Sequence, residues 1–154
     1  MNYPQLDIYL NKIKGNAEKL KRELEVAGVK LTAVVKGFAG DLKIFDAYQR
    51  AGIKSIADSR IENIKKFRAA GYKDEILMLR IPMLSEIEEI VPYIDASLVT
   101  EIKTAELISK NAKKFDKEID LIIMVDIGDR REGILAADLD ELALEIEKLE
   151  NVKL

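Results

Sequence analysis

Lys36 is the first residue of this chain whose type and position suit covalent chemistry. It follows the apolar run 31–35, LTAVV, and precedes a loop of small residues that begins at Gly37. A lysine at the end of a buried strand is partly removed from water, and a neutral lysine amine can attack a carbonyl carbon. The competing interpretation is an ordinary lysine that extends from a strand end into solvent. The local sequence alone favours this second interpretation.

A second candidate lies in the segment 126–133, DIGDRREG. Arg130 and Arg131 stand in a loop bracketed by glycines, and a planar guanidinium group suits the binding of a carboxylate or another anion. Alternatively, the two arginines pair with the neighbouring carboxylates in a surface turn. The charge pattern alone favours the surface turn.

Three further polar residues follow apolar runs. Arg80 comes after Leu-Met-Leu, where an arginine needs a partner, and either a glutamate or a cofactor oxygen would serve. Asp58 and Ser59 follow the run Ser-Ile-Ala, and one of them is expected to cap the next helix. Thr100 is explained in the same way.

The composition restricts the chemistry that is available. The chain has 154 residues and contains neither His nor Cys, which excludes Ser-His-Asp catalysis, thiolate nucleophiles and cysteine or histidine metal sites. With 25 Lys+Arg against 28 Asp+Glu, the net charge of −3 gives no electrostatic footprint for nucleic acid. The acidic residues show no metal-site spacing, and no glycine-rich phosphate-binding motif is present. Catalysis would therefore depend on Lys, Tyr, Arg, carboxylates or a cofactor.

The hydropathy pattern indicates neither a membrane span nor a signal peptide. No stretch approaches the roughly 18–20 apolar residues that a membrane helix needs. The N-terminal sequence MNYPQLDIYL lacks a basic flank followed by an apolar core. We therefore expect a cytoplasmic protein that folds as one unit.

Strands and helices are predicted to alternate along the chain, and they must position the candidate residues. Short, nearly continuous apolar runs predict strands at 31–35, 55–57, 76–79, 96–99, 119–125 and 152–154. Apolar residues at three- and four-residue spacing predict helices at 4–27, 42–51, 60–70, 85–91, 101–114 and 138–149. Gly28 is expected to end the first helix. Ser85 and Glu88 form a predicted capping box.

Two α/β architectures fit this alternation, and both have a parallel sheet covered by helices. A flavodoxin-like doubly wound sheet has about this length. A (β/α)₈ barrel places its site at the C-terminal ends of all its strands, but it typically needs about 250 residues. A polar or charged residue follows each of the first five strands, which favours the barrel: Lys36, Asp58, Arg80, Thr100 and Asp126. The barrel interpretation makes residues 1–154 an incomplete piece, with an N-terminal helix, about five βα units and the start of strand six.

Four segments of the chain together carry a resemblance to a known family: LTAVVKG at 31–37, IADSRIEN at 56–63, LRIPM at 79–83 and MVDIGDRREG at 124–133. They resemble the fold-type III enzymes that use pyridoxal 5′-phosphate (PLP), known as the alanine racemase group. Within that group the chain is most similar to the ornithine racemase–like branch. The four segments occur in the family's order, and the resemblance extends over essentially the whole chain.

The resemblance implies a domain organisation and a set of site residues. Family members have an N-terminal (β/α)₈ barrel and a β-rich C-terminal domain, so residues 1–154 would be the N-terminal part of the PLP-binding barrel domain. Lys36 would form the Schiff base with PLP and act as one base at the substrate Cα. Arg131 would lie near the phenolic oxygen of PLP and the substrate carboxylate. Arg80 and Ser59 would contribute to the cofactor site, and Thr100 would line the same mouth.

The resemblance also implies a function, which is an amino-acid racemase acting as a homodimer on a substrate such as ornithine or alanine. Gly40 stands where alanine racemases usually have a tyrosine, which favours the ornithine-type branch. Residues 1–154 alone are not expected to racemise, because the family's phosphate-binding loops and second catalytic base lie in later segments. Two alternatives stay open at this point. One is a non-catalytic, single-domain PLP-homeostasis protein, and the other is a complete, small doubly wound binding domain.

Overall fold

Six parallel strands form one sheet in the computed structural model, which describes residues 4–154. The strands are β1 (Ala33–Val34), β2 (Ser55–Asp58), β3 (Glu75–Met78), β4 (Ala96–Val99), β5 (Ile119–Ile123) and β6 (Val152–Lys153). The helices are α1 (Leu10–Val26), α2 (Leu42–Arg50), α3 (Ile61–Ala69), α4 (Ile87–Ile90), α5 (Ile102–Lys114) and α6 (Leu139–Ile146). Each helix after α1 connects two successive strands, as the sequence predicts.

The strand order distinguishes the two architectures that the sequence left open. Among the described residues the sheet runs β1-β2-β3-β4-β5-β6, and every neighbouring pair is parallel. A doubly wound sheet reverses its order at a switch point, whereas sequential order with right-handed crossovers places all helices on one face, as in a barrel. The partial (β/α)₈ barrel is therefore confirmed, and the doubly wound alternative is wrong.

The two faces of the sheet differ in what covers them. On one face, strand residues such as Ile56 and Met78 pack into a large core with residues of the helices. On the other face, a small apolar cluster is built from the strand residues Ala57, Leu77 and Leu98 together with Ala96, and partly buried residues that follow the strands pack against it. The second face corresponds to the interior of a barrel.

Helix α3 illustrates why the helices pack as they do. Ile61, Ile64 and Phe67 recur at three-residue steps, and all three are buried. The ring of Phe67 stacks on Phe45 of α2 with 4.4 Å between centroids. Burying an aromatic side chain of this size stabilises the fold by about 2–3 kcal/mol. The apolar stripe of α3 thus fixes this helix, and the chain that enters it, against the sheet.

A charged network braces the end of the sheet where the strands begin. The side chain of Arg68 donates to three backbone carbonyls at 2.8–3.0 Å and pairs with Asp95. Asp95 also accepts a hydrogen bond of 2.8 Å from the backbone N–H of Ile76. Lys117 donates to the carbonyl of Ile94 at 2.5 Å, and burial lowers the pKa of this lysine. These contacts tie α3, β3 and β4 together at the end opposite to the candidate site.

The first helix begins later than the sequence predicts. Helix α1 starts at Leu10, and residues 4–9 are not helical. The apolar side chains of Leu6 and Ile8 are 84% and 48% exposed, so they have little to pack against. Most helical stability in proteins comes from tertiary packing, which explains why the apolar spacing in this segment does not extend the helix. The predicted end is confirmed, since Gly28 follows the helix with φ +70°.

The predicted capping box at Ser85 and Glu88 is wrong. The turn ahead of α4 begins one residue earlier, and Glu86 accepts a hydrogen bond from the backbone N–H of Met83 at 3.4 Å. Glu86 is held in this position because it also pairs with Arg80. None of the described helices is long and apolar enough to cross a membrane.

Candidate active site

The polar residues that follow the strands lie at one end of the sheet. Because all the strands are parallel, their C-terminal ends meet at a common edge, which is where barrel enzymes place their active sites. The structure thereby brings the predicted residues to one end of the fold. This set consists of Lys36, Asp58, Ser59, Arg80, Thr100 and Asp126.

Lys36 begins a 3₁₀ turn, Lys36–Phe38, directly after β1. Its side chain is exposed, and within residues 4–154 no hydrogen bond or ion pair engages its amine. The local sequence left two interpretations open, a partly desolvated amine and a lysine that extends into solvent, and the described residues show the second, which the sequence favoured. The exposed position leaves the amine free to react with a molecule that approaches the strand ends.

Contacts on both sides hold the turn that carries Lys36. Before it, the backbone N–H of Val35 donates to the carbonyl of Ala57 at 2.8 Å, which extends the pairing of β1 with β2. After it, the ring of Phe38 stacks on Tyr48 with 5.8 Å between centroids. The Asp41 carboxylate then caps α2 and accepts two backbone hydrogen bonds of 2.9 and 3.0 Å. The turn is thus fixed to both β2 and α2.

Asp58 is fully buried at the end of β2 and organises the start of α3. One of its oxygens accepts a hydrogen bond of 2.9 Å from the backbone N–H of Arg60, the residue before the helix. The side-chain amide of Asn63 donates to both carboxylate oxygens at 3.3 and 3.1 Å. The sequence predicted Asp58 or Ser59 as the N-cap of this helix, which is wrong, because Arg60 occupies that position and no side chain caps it. Asp58 instead binds the backbone of the N-cap residue itself.

Arg80 has protein partners at the end of β3. Its Nε donates to the carbonyl of Ser59 at 2.8 Å, and its Nη2 pairs with Glu86 at 2.5 Å. A glutamate, one of the two partners that the sequence left open, therefore pairs with Arg80. The pair ties the end of β2 to the segment after β3, so Arg80 supports the mouth of the site.

Ser59 and Thr100 are both half-buried at the strand ends. Ser59 contributes its backbone carbonyl to Arg80, and its hydroxyl has no hydrogen-bond partner in the part of the chain that the structure describes. Thr100 borders a cavity of about 240 Å³ with Ile134 and residues of α6. Both residues are therefore partly accessible at this end of the sheet, and the cavity beside Thr100 faces α6.

The loop 126–133 is closed at its base and strongly curved. The backbone N–H of Asp126 donates to the carbonyl of Ile134 at 2.8 Å. Gly128, Arg130 and Gly133 adopt positive φ angles of 111°, 51° and 120°. A methyl group on Gly133 would lie 2.5 Å from the backbone nitrogen of Asp126, so only glycine fits at this point.

The Asp126 carboxylate stabilises the inside of this loop. It accepts backbone hydrogen bonds from Gly128 at 2.8 Å and from Arg130 at 3.1 Å. These hydrogen bonds lower the pKa of Asp126 below its usual value, because they favour the charged carboxylate. The Asp126 carboxylate therefore holds the backbone of the loop in its curved conformation.

Arg131 extends from the same loop into solvent. Its side chain is 76% exposed, and its Nε lies 3.6 Å from Glu132. An exposed pair of this length holds the guanidinium group weakly. The guanidinium group of Arg131 can therefore turn towards an anion. An anion bound there would lie at the same end of the sheet as the amine of Lys36.

Sequence reasoning missed two residues that the structure connects to this end. Glu86 is the partner of Arg80, but several glutamates follow that arginine in the sequence, and nothing distinguishes one of them. Asn63 carries a clearer signal, because it is a polar residue on the buried side of a helix with apolar spacing. No group of three carboxylates with metal-binding geometry occurs among residues 4–154.

Comparisons with known proteins agree with this geometry. The family model "Alanine racemase, N-terminal domain" matches residues 8–154. The chain is 40% identical over 153 residues to the ornithine racemase of Acetoanaerobium sticklandii, covering 99% of this chain and 43% of the relative. It is 32% identical over 134 residues to the lysine racemase of Thermotoga maritima, covering 87% of this chain and 38% of the relative. The chain thus spans less than half the length of these two relatives.

A solved structure extends the likeness of the fold. The D-threonine aldolase from Filomicrobium marinum superposes with a TM-score of 0.83 at 14% identity, over 99% of this chain and 42% of that chain. At this identity the match concerns the fold alone. The family model covers all six strands and both candidate segments, the Lys36 turn and the loop 126–133. The chain therefore belongs to the alanine racemase N-terminal domain family.

Proposed function

We propose that residues 1–154 are the N-terminal part of the PLP-binding barrel domain of an amino-acid racemase. The observation that carries the proposal is the exposed amine of Lys36, which has no partner among residues 4–154 and stands at the C-terminal end of β1. The family match adds support, since two relatives of the chain are named ornithine racemase and lysine racemase. The later barrel strands and a β-rich domain would complete the protein.

The residues at the strand ends fit PLP in two respects. An exposed lysine amine without a partner in the described chain can form a Schiff base with the cofactor's aldehyde. The space around Gly37 is open, since a methyl group there would meet no described atom within 4 Å. The exposed Arg131 can bind an anionic oxygen. When bound, PLP supplies the electron sink that acidifies the substrate's Cα–H.

Different residues of the chain would then have different roles in racemisation. Lys36 would hold the cofactor and move a proton at one face of the substrate Cα, and a second base on the other face is required. Arg131 would orient the substrate carboxylate. Ser59 and Arg80 would line the cofactor site, with Arg80 acting mainly through its pair with Glu86.

The substrate in this proposal is an amino acid such as ornithine or alanine, and Gly40 favours the ornithine type. The full protein would work as a homodimer in the cytoplasm. Residues 1–154 alone would not racemise, because the relatives that they match are more than twice as long.

Proton exchange at the substrate Cα tests the proposed function. In deuterated water with PLP, the full protein should incorporate deuterium into ornithine or alanine and interconvert the enantiomers. Lys36→Ala should abolish both, whereas Lys43→Ala, which removes an exposed lysine seven residues away, should leave both unchanged. Attachment of PLP without exchange would indicate a non-catalytic PLP protein instead.

A further inference from the structure

We propose that Asn63 is a positioning residue for Lys36 and acts through a tight contact with Gly40. Its role as a contact of the Lys36 turn follows from the geometry alone. Its importance for catalysis rests on the proposed function, in which Lys36 carries PLP. Asn63 ends the segment 56–63 on which the resemblance partly rests, but it is not among the predicted site residues and was given no role there.

The side chain of Asn63 is buried and held in one orientation. Only 4% of the residue is exposed, and its amide nitrogen donates to both oxygens of the fully buried Asp58. With Nδ2 bound to the carboxylate, Oδ1 must point away from Asp58, which is the direction of the Lys36 turn. A buried amide costs free energy unless it is paired, so this arrangement is a specific one.

The oxygen of Asn63 lies against the backbone of Gly40. A methyl group on Gly40 would lie 2.8 Å from Oδ1 and 3.1 Å from Cγ of Asn63. Gly40 is buried and has φ +75°, so it combines a left-handed backbone with an approach that only glycine permits. The Asn63 side chain therefore occupies the space that a side chain at position 40 would need.

This contact completes the support of the turn that carries Lys36. Two backbone hydrogen bonds connect the turn to the residues after it. The N–H of Ala39 donates to the carbonyl of Lys36 at 3.3 Å, and the N–H of Asp41 donates to the carbonyl of Phe38 at 3.0 Å. Phe38 anchors one side of the turn in the core. Asn63 anchors the other side at Gly40, and through Asp58 it ties the turn to the end of β2.

The matched control for this proposal is Asn111, a second buried asparagine. It is 5% exposed, lies in α5, and its amide donates to the carbonyl of Leu107 at 2.8 Å. Asn111→Ala and Asn63→Ala remove the same atoms from similarly buried positions. Only Asn63→Ala should change the turn that carries Lys36.

Two measurements on the full protein test the proposal. Hydrogen exchange at the amides of Ala39 and Asp41 should be roughly two- to tenfold faster in Asn63→Ala, because the chain after Lys36 then loses its packing against Asn63 and, with it, the link to Asp58, whose hydrogen bonds are each worth about this factor. The rate at which PLP becomes attached to Lys36, fixed by borohydride and measured by peptide mass spectrometry, should fall by a similar factor. Asn111→Ala should change neither quantity, and exchange at Leu98 in β4 reports any global loss of stability in both variants.

A swapped pair separates positioning from a general loss of packing. Asp58→Asn combined with Asn63→Asp keeps an amide and a carboxylate in contact and should restore both rates towards those of the wild type. Equal exchange of the turn amides in Asn63→Ala and Asn111→Ala would overturn the contact role. Faster exchange with an unchanged attachment rate would overturn the positioning role. If the wild type attaches no PLP, the proposed function fails, while the exchange comparison still decides whether Asn63 holds the turn.

Discussion

Replacing Gly133 by alanine should open the loop that carries Arg131. The new methyl group would lie 2.5 Å from the nitrogen of Asp126 and 2.7 Å from the carbonyl carbon of Val125, both of them backbone atoms that cannot turn aside. The φ angle of +120° adds strain for any residue with a side chain. We expect about 1–3 kcal/mol from the backbone conformation and about 1–3 kcal/mol more from the contact.

Gly128→Ala in the same loop provides the matched control. Its φ of +111° is almost the same, but a methyl group there would meet nothing within 4 Å. The two variants therefore share the conformational cost and differ only in the contact with the backbone. The difference between them should be about 1–3 kcal/mol.

Hydrogen exchange measures this difference where it arises. The amides of Asp126 and Ile134 close the base of the loop, with hydrogen bonds of 2.8 and 2.9 Å. They should exchange about five- to 150-fold faster in Gly133→Ala than in Gly128→Ala, as a difference of about 1–3 kcal/mol implies. Equal exchange in the two variants would refute the reasoning that close packing, rather than φ alone, requires glycine at position 133.

Two further predictions concern single polar groups. Tyr72→Phe should leave the free energy of unfolding unchanged or raise it by up to about 1 kcal/mol, because the buried hydroxyl has no hydrogen-bond partner among residues 4–154. A clear loss of stability in urea denaturation would show that the hydroxyl is used. The lowered pKa of Asp126 means that the unfolded chain binds more protons than the folded chain below pH about 4, so the stabilisation from this carboxylate is lost as the pH falls through its folded-state pKa. Asp126→Asn, which keeps an acceptor oxygen but cannot titrate, should therefore lose less stability than the wild type between pH 4 and pH 2, and identical acid profiles would contradict this explanation.

The order of elements could be predicted because the strands are short and almost continuously apolar. Runs such as Ile76-Leu77-Met78 are apolar on both faces, which only a covered parallel strand requires, and helical spacing resumes after each of them. The polar residue after each strand then indicated a barrel rather than a doubly wound sheet. These patterns are local, so one sequence is enough to reveal them.

The start of the first helix and the cap before α4 could not be predicted, because they depend on distant packing. The apolar residues before Leu10 have the spacing of a helix but no surface to cover. The position of Glu86 is decided by the guanidinium group of Arg80, six residues earlier. Neither condition is visible in a local pattern of residues.

The candidate site was predicted in its location and only partly in its contacts. Lys36 and Arg131 lie at the expected end of the sheet and both are exposed, whereas the local sequence left a partly buried lysine open as a second interpretation. Exposure depends on what covers the strand ends, and residues 31–41 do not encode that information. Asn63 could have been noticed as an amide at a buried helical position, although its contact with Gly40 appears only in three dimensions.

The attachment site of PLP tests the central claim most directly. The full protein is incubated with PLP, reduced with borohydride, digested and analysed by mass spectrometry. The account predicts that the modification lies at Lys36 and is absent from Lys36→Ala, while other exposed lysines such as Lys43 remain largely unmodified. Attachment spread over the surface lysines, or attachment that survives Lys36→Ala, would contradict it.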